Sequence, residues 1–343
     1  FAIKELVFQN GVGGFTEDGK EYVIRTRNEH TTPLPWINVI ANRNFGTIIS
    51  ESGSSYTWSE NAHGLRLTPW HNDPVADPPC DAIYLRDEET GELWSPTPAP
   101  VPSSGLFRIR HAAGSTIFAH QFSSIESHLT MGMAPEDPVR LSILRLTNRD
   151  RRQRRISVTS YVEWALGAQR EHTQHQVITS FDQEHQANIA YNTFNPTFAH
   201  MRAFTALSEP LRGHTGDRRE FLGRNGWLGR PAALAEPGAE PLSGSTSAVM
   251  DPCAALQCEL ILAPGETREV IVVLGAADDD AEARRLLTRY RDVDRAKQAI
   301  AGAIDRWAQR LSVITVRTPE PSFDAMLNRW MLYQALACRM WGR

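Results

Sequence analysis

The chain has 343 residues, of which 41% are hydrophobic and 22% charged, with a formal net charge of -4. These are the proportions of an ordinary globular protein able to bury a sizeable core, and they exclude a disordered or low-complexity chain. The near-neutral balance, with a pI near 6.3, gives no electrostatic reason for a nucleic-acid partner.

No apolar run approaches the roughly 18 residues of a spanning helix, and no secretory leader is visible. The four cysteines, Cys80, Cys253, Cys258 and Cys338, show no paired spacing. Cys258 alternates with Leu256, Leu260 and Leu262 as an inert thiol on a buried strand face would, so a reduced, cytoplasmic setting is expected. His172 and His175 have no cysteine or carboxylate companion at ligand spacing, and no bound metal is expected.

In chain order, the first distinctive segment runs from Tyr56 through Trp58, Asn61, Arg66, Trp70, Asn72 and Asp73 to Asp77, stiffened by Pro69, Pro74, Pro78 and Pro79. Flat aromatic faces beside fixed polar groups are what sugar recognition needs. Trp58 and Trp70 can lie on the C–H face of a pyranose, while the carboxamides, the guanidinium and the carboxylate satisfy hydroxyls that are costly to bury unpaired. A proline-stiffened loop also loses less entropy on docking. The flanking residues favour Trp58, between Thr57 and Ser59, as the ligand-facing ring; Trp70, pinned by Pro69, reads as partly structural.

Strand-like segments then follow at 107–111, 116–122, 125–131, 139–146, 156–164, 177–181, 187–191, 198–204, 256–262 and 269–274, each rich in β-branched or aromatic residues and bounded by turn chemistry. Ile156, Val158, Val162 and Trp164 share one parity and Arg155, Ser157 and Thr159 the other, which puts one face on a core and the other toward water or a partner. The basic run from Arg149 to Arg155 reads as a charged hairpin tip, and Pro264-Gly265 as the turn of a final hairpin. The pattern predicts a mainly β protein, a large two-sheet antiparallel sandwich over residues 1–275, with an ordered irregular stretch at 207–248. From 276 to 321 the apolar period becomes helical, with a break near Asp292. At 322–343 a second helix, capped by Ser322, is expected to bury Phe323, Met326, Trp330, Ala337 and Trp341. Both ends of the chain read as cut, and this last helix is expected to dock poorly for want of a partner.

Several strings resemble the inverting disaccharide and oligosaccharide phosphorylases related to cellobiose phosphorylase, and most of all the phosphorylase-like region of cyclic β-1,2-glucan synthases and 1,2-β-oligoglucan phosphorylase. They are Asn10-Gly-Val-Gly-Gly14-Phe15, Leu34-Pro-Trp36-Ile-Asn38, the 56–79 segment, Ala82-Ile-Tyr84-Leu-Arg86-Asp87, Glu220-Phe-Leu-Gly-Arg224-Asn225-Gly226, Asp251-Pro-Cys253 and Leu327-Asn328-Arg329-Trp330. The resemblance implies a mutarotase-like super-sandwich, a helical linker and then an α/α barrel, of which 322–343 is the first helix. It places the catalytic acid and most phosphate contacts in that barrel. The implied reaction is phosphorolysis of a β-glucosidic bond, in which one protonated carboxyl serves the leaving oxygen and inorganic phosphate, a co-substrate and not a cofactor, attacks from the opposite face.

On that reading this chain holds no catalytic residue. Asp73, Asp77, Asp87, Glu88 and Glu163 sit at motif positions, but nothing local demands the raised pKa of a general acid. The chain instead supports the barrel mouth and a homodimer and contributes substrate contacts: first Trp58, Asn61, Arg66, Trp70, Asn72 and Asp73, then Arg224 and Asn225, then His175. The parent enzyme, soluble or tethered to the inner membrane through other segments, would act on a β-glucan oligosaccharide, with chain-length control in cyclic glucan synthesis as one role. A freestanding carbohydrate-binding or assembly module is the alternative. An aldose mutarotase is a further one, but no histidine and carboxylate pairing marks it.

Overall fold

The computed structural model of the chain describes residues 6–27, 32–248 and 251–342. Ten strands form one sheet in the order Gly13–Phe15, Glu21–Thr26, Phe107–Ala112, Ser115–Phe122, Ile125–Met133, Val139–Asn148, Thr267–Ala277, Arg202–Leu207, Ala187–Asn192 and Val177–Asp182. Five more, in the order Gly213–Asp217, Pro252–Leu262, Arg154–Glu163, Asp81–Asp87 and Leu93–Trp94, form a second sheet, and Ile37–Ala41, Phe45–Ser50 and Ser55–Ser59 form a third. Neighbours in each sheet run antiparallel. The two smaller sheets face the large one across the main core, where Phe118, Leu144 and Val272 meet Leu85, Val158, Cys258, Phe45 and Ile49. The protein is thus mainly β, a large antiparallel sandwich, and Cys258 lies in its interior as a small hydrophobe.

Neither expected reversal is a hairpin. The turn at Pro264-Gly265 joins Pro252–Leu262 in the five-stranded sheet to Thr267–Ala277 in the ten-stranded one, and the basic run joins Val139–Asn148 to Arg154–Glu163 across the same gap. The two crossings are stitched together by Asn148, whose Nδ2 donates to the carbonyls of Arg152 (2.8 Å), Leu262 (2.9 Å) and Ala263 (3.2 Å). Arg154 is therefore not at a solvated tip. It is buried and ion-paired with Asp87.

The second strand faces are also covered. Helices Asp280–Tyr290 and Val293–Leu311, N-capped by the side chains of Asp279 and Asp292, lay Leu286, Leu287, Tyr290, Ala296 and Ile300 on the outer face of the ten-stranded sheet against Ile143, Phe204, Ile271 and Val273. On the other side, the second face of 156–164 meets a packing layer and not water. Tyr84, Tyr161 and Ala255 of the five-stranded sheet pack under Phe221, Leu222 and Leu234, so the 207–248 stretch is ordered and forms the cover itself. Within it, the rings of Tyr161 and Phe221 stack with centroids 5.1 Å apart. The strand expected at 198–204 starts later, at Arg202, because the Asn195 side chain holds the N–H groups of Thr197 and Phe198 in a turn.

The last helix begins at Pro321, where the Glu320 side chain, not Ser322, accepts from the Ser322 N–H. It widens into π winding over Met326–Trp330 and Ala335–Trp341. The i→i+5 hydrogen bonds rotate its buried face away from the α-period expectation. Phe323 and Met326 are exposed, and Trp330, Tyr333 and Ala337 are buried with Val39, Tyr56, Trp58 and Trp307. The helix therefore has a partner within the chain. The Tyr333 hydroxyl accepts from the Gly114 N–H (3.2 Å) and lies 2.7 Å from the Val39 carbonyl, and the Trp330 indole N–H donates to the Gly19 carbonyl (3.1 Å). None of the helices among the described residues is long and apolar enough to cross a membrane.

Candidate saccharide groove

Strand Ser55–Ser59 presents Tyr56 and Trp58 on one face, two residues apart. Trp58 turns inward because its cross-strand partner is Gly46: a Cβ there would fall 2.1 Å from the indole, so the ring occupies the space that a side chain would need. At 2% exposure Trp58 has no face left for a ligand. The expectation that Trp58 is the ligand-facing ring, with Trp70 partly structural, is corrected for Trp58: it is the enclosed ring of the two. Trp70 is 45% exposed and stacks by one side on Tyr56, at 5.4 Å and 14°. The Arg66 guanidinium lies 5.4 Å from the Trp70 ring and 5.6 Å from that of Tyr56, and its Nε and Nη1 donate to the carbonyls of Ala62 (3.2 Å) and Ala168 (2.7 Å). Arg66 thus clamps the stack. Burial pushes the Tyr56 hydroxyl up, only partly offset by the charge of Arg66.

Beyond Trp70 opens a cavity of about 290 Å³, walled by Leu34, Pro35, Ile37, Ile48 and Tyr56 on its apolar side and by Trp70, His71, Asn72 and Asp73 at its rim. The floor is polar: Asp77 Oδ2 accepts from the hydroxyls of Ser50 (2.6 Å) and Ser52, and the Ser54 hydroxyl donates to the Pro78 carbonyl (3.0 Å). The rim is held by its own backbone. Asp73 Oδ1 accepts from the N–H groups of Val75 (2.9 Å) and Ala76 (3.0 Å), which hold its carboxyl below the usual range, and Asn72 and Asp77 take φ of 50° and 40°. A left-handed residue at each end of the Asp73 turn makes a closely turned loop.

Of the residues nominated from sequence, Trp70, Asn72 and Asp73 line this groove. Asn61 instead caps a turn through the N–H groups of His63 (2.9 Å) and Gly64 (2.6 Å). Arg224, Asn225 and His175 lie exposed on other segments and do not line it. Sequence reading missed Ser50 and Ser54, which line the groove beside Asp77 and Pro78; their serine-rich turn carried no sugar-specific signal.

The other carboxylates at motif positions are not poised as acids. Burial alone would raise Asp87 and Glu88, but the Thr90 N–H and Arg154 on the first, and Ser157, the Gly238 N–H and Arg86 on the second, hold both below their ordinary values. Glu163 is tied into a ring of alternating charges with Arg170, Asp251 and Arg218. Among the described residues no three His, Cys, Asp or Glu side chains converge as a metal site.

The geometry is that of a many-stranded antiparallel sandwich carrying a half-exposed tryptophan over a polar-floored groove. Residues 20–293 match the glycosyl hydrolase 94 supersandwich domain, and the chain belongs to that family. It is 37% identical over 340 residues to the cyclic beta-(1,2)-glucan synthase NdvB of Rhizobium meliloti (strain 1021), covering 99% of this chain and 12% of that protein. It is 28% identical to the N,N'-diacetylchitobiose phosphorylase of Vibrio furnissii, covering 96% of this chain and 41% of the relative. The chain thus spans less than half the length of these relatives. Among solved structures, a bacterial glucoamylase complexed with acarbose superposes with a TM-score of 0.52 at 7% identity, over 94% of this chain and 44% of that one, a likeness of fold.

Proposed function

We propose that this chain is the non-catalytic sandwich and linker of an enzyme that cleaves or limits a β-glucan, with β-1,2 linkages, by inverting phosphorolysis, and that the Trp70 groove is a sugar-facing edge of the complete active site. On this reading residues 322–343 enter an α/α barrel that carries the acid and the site for inorganic phosphate. The sandwich then supports the barrel mouth and a homodimer. The single observation that carries the proposal is the Trp70 ring, fixed on one side by Tyr56 and Arg66 and open on the other above the Asn72, Asp73 and Asp77 polar groups. An apolar plate beside directed polar groups matches the two-sided chemistry of a pyranose.

The test is Trp70→Ala in the full-length enzyme. KM for β-1,2-gluco-oligosaccharide is expected to rise roughly tenfold, the loss of about 1.4 kcal/mol of stacking. Trp58→Ala is expected to destabilise by about 3–5 kcal/mol while leaving KM of the folded fraction unchanged. An unchanged KM in Trp70→Ala would make the groove scaffold. The purified chain alone is expected to release no glucose 1-phosphate, and phosphate-dependent turnover by it would overturn the assignment of catalysis to the barrel.

A further inference from the structure

Trp227 is 65% exposed and yet firmly held. Its ring lies across Gly229, where a Cβ would come within 2.3 Å of the indole, and the Arg230 N–H donates to the Trp227 carbonyl at 3.0 Å to close the turn. From below, the Tyr84 hydroxyl of the five-stranded sheet donates to the Leu228 carbonyl at 3.0 Å, and the Leu228 side chain packs into the cluster with Phe221.

The turn before it is equally determined. Gly223 ends the preceding helix at φ +85°, and a Cβ on Gly226 would collide with the Leu222 carbonyl oxygen at 1.5 Å. Glycines at 223, 226 and 229 thus wind the chain into two successive tight turns that hold an indole with one side down and the other toward water. An exposed apolar plate of that size is unfavourable in water, and a rigid one loses little entropy when something covers it.

The surroundings supply donors. Trp227 and Arg230 are antiparallel bridge partners, so their side chains rise on the same face. Arg224 and Asn225 are exposed on the first turn. Among the described residues neither Arg224 nor Arg230 is held in an ion pair. Guanidinium and carboxamide groups beside an open indole can take vicinal hydroxyls while the ring takes the C–H face of the same sugar.

We propose that Trp227, with Arg224, Asn225 and Arg230, is a second saccharide site, a surface platform on which one pyranose of a neutral gluco-oligosaccharide stacks, separate from the Trp70 groove. The class of ligand rests on the reading given under Proposed function; the platform itself rests on its own geometry. The turn lies on the cover of the five-stranded sheet, and its residues do not line the groove. It would hold a longer chain at a distance from the position where its end is processed.

Calorimetric titration of the whole chain with a short β-1,2-linked gluco-oligosaccharide tests this. Two sites are expected, with Trp227→Ala removing one and Trp70→Ala the other, and Trp227→Phe weakening its site without removing it. Unchanged stoichiometry and affinity in a folded Trp227→Ala variant overturns the platform and leaves the groove standing. Loss of the single wild-type site in Trp227→Ala, with no Trp70 site in the isotherm, keeps the platform, and the groove is then decided by KM of the full-length enzyme. Sedimentation of the same variants covers the competing occupant: if Trp227→Ala disperses an oligomer and leaves sugar binding intact, the indole is a subunit contact and the proposal fails. No binding by the wild-type chain overturns the platform.

Discussion

Asp87 and Arg154 have side-chain exposures of 0% and 1%, and the carboxylate also receives the N–H groups of Glu89 and Thr90 at 2.8 Å each. Removing one member leaves an uncompensated buried charge, so Asp87→Ala is expected to lower stability by about 3–5 kcal/mol in a denaturant titration. The paired change Asp87→Ala with Arg154→Met should recover much of that loss. His111 is the complementary case, a buried neutral imidazole between Thr116 Oγ1 and the Trp36 carbonyl, each at 3.0 Å, with burial pushing it down to about 4. Because the unfolded chain takes up that proton near pH 6.5 and the folded chain only near pH 4, stability is expected to fall as pH drops through this window. Below it this contribution falls no further. His111→Gln should flatten that part of the pH dependence, read as the denaturant midpoint at a series of pH values.

Residue chemistry was legible where it depends on type and spacing: Trp70, Asn72 and Asp73, nominated because an aromatic and two polar residues on a proline-pinned loop have few uses, line one groove. The choice between Trp58 and Trp70 was not legible, because it is settled by Gly46 across the strand and by a helix 270 residues away, neither of which the flanking Thr57 and Ser59 reveal.

At the level of elements, the final helix is fastened by Tyr333 more than by its apolar stripe alone. Its hydroxyl is wholly buried and meets groups from Ile37–Ala41 and from the turn at Gly114. Tyr333→Phe leaves those groups unpaired and is expected to cost about 1–3 kcal/mol. Hydrogen exchange should then accelerate across Pro321–Ala325 and the turns that follow while the sheets keep their protection. The helix itself was legible from its period. Its π winding was not, since the shift of hydrogen-bond partner leaves no composition signature. Likewise a Pro-Gly reversal looks the same in sequence whether the chain returns to the same sheet or crosses to the opposite one.

The large sheet consists of six strands drawn from residues 13–148 and three drawn from 177–207, and these two groups touch through one strand alone, Thr267–Ala277, which pairs with Val139–Asn148 on one side and Arg202–Leu207 on the other. Among the described strands it is the last to be synthesised. Until it leaves the ribosome, a nascent chain holds two half-sheets with open, hydrogen-bonding edges, the condition that invites mispairing. On ribosomes stalled at successive lengths, a protease-resistant sandwich is expected to appear only once Ala277 has cleared the exit tunnel. Shorter stalled chains should remain cleavable and bind chaperones, so the sandwich stays exposed to mispairing until its own closing strand has been made.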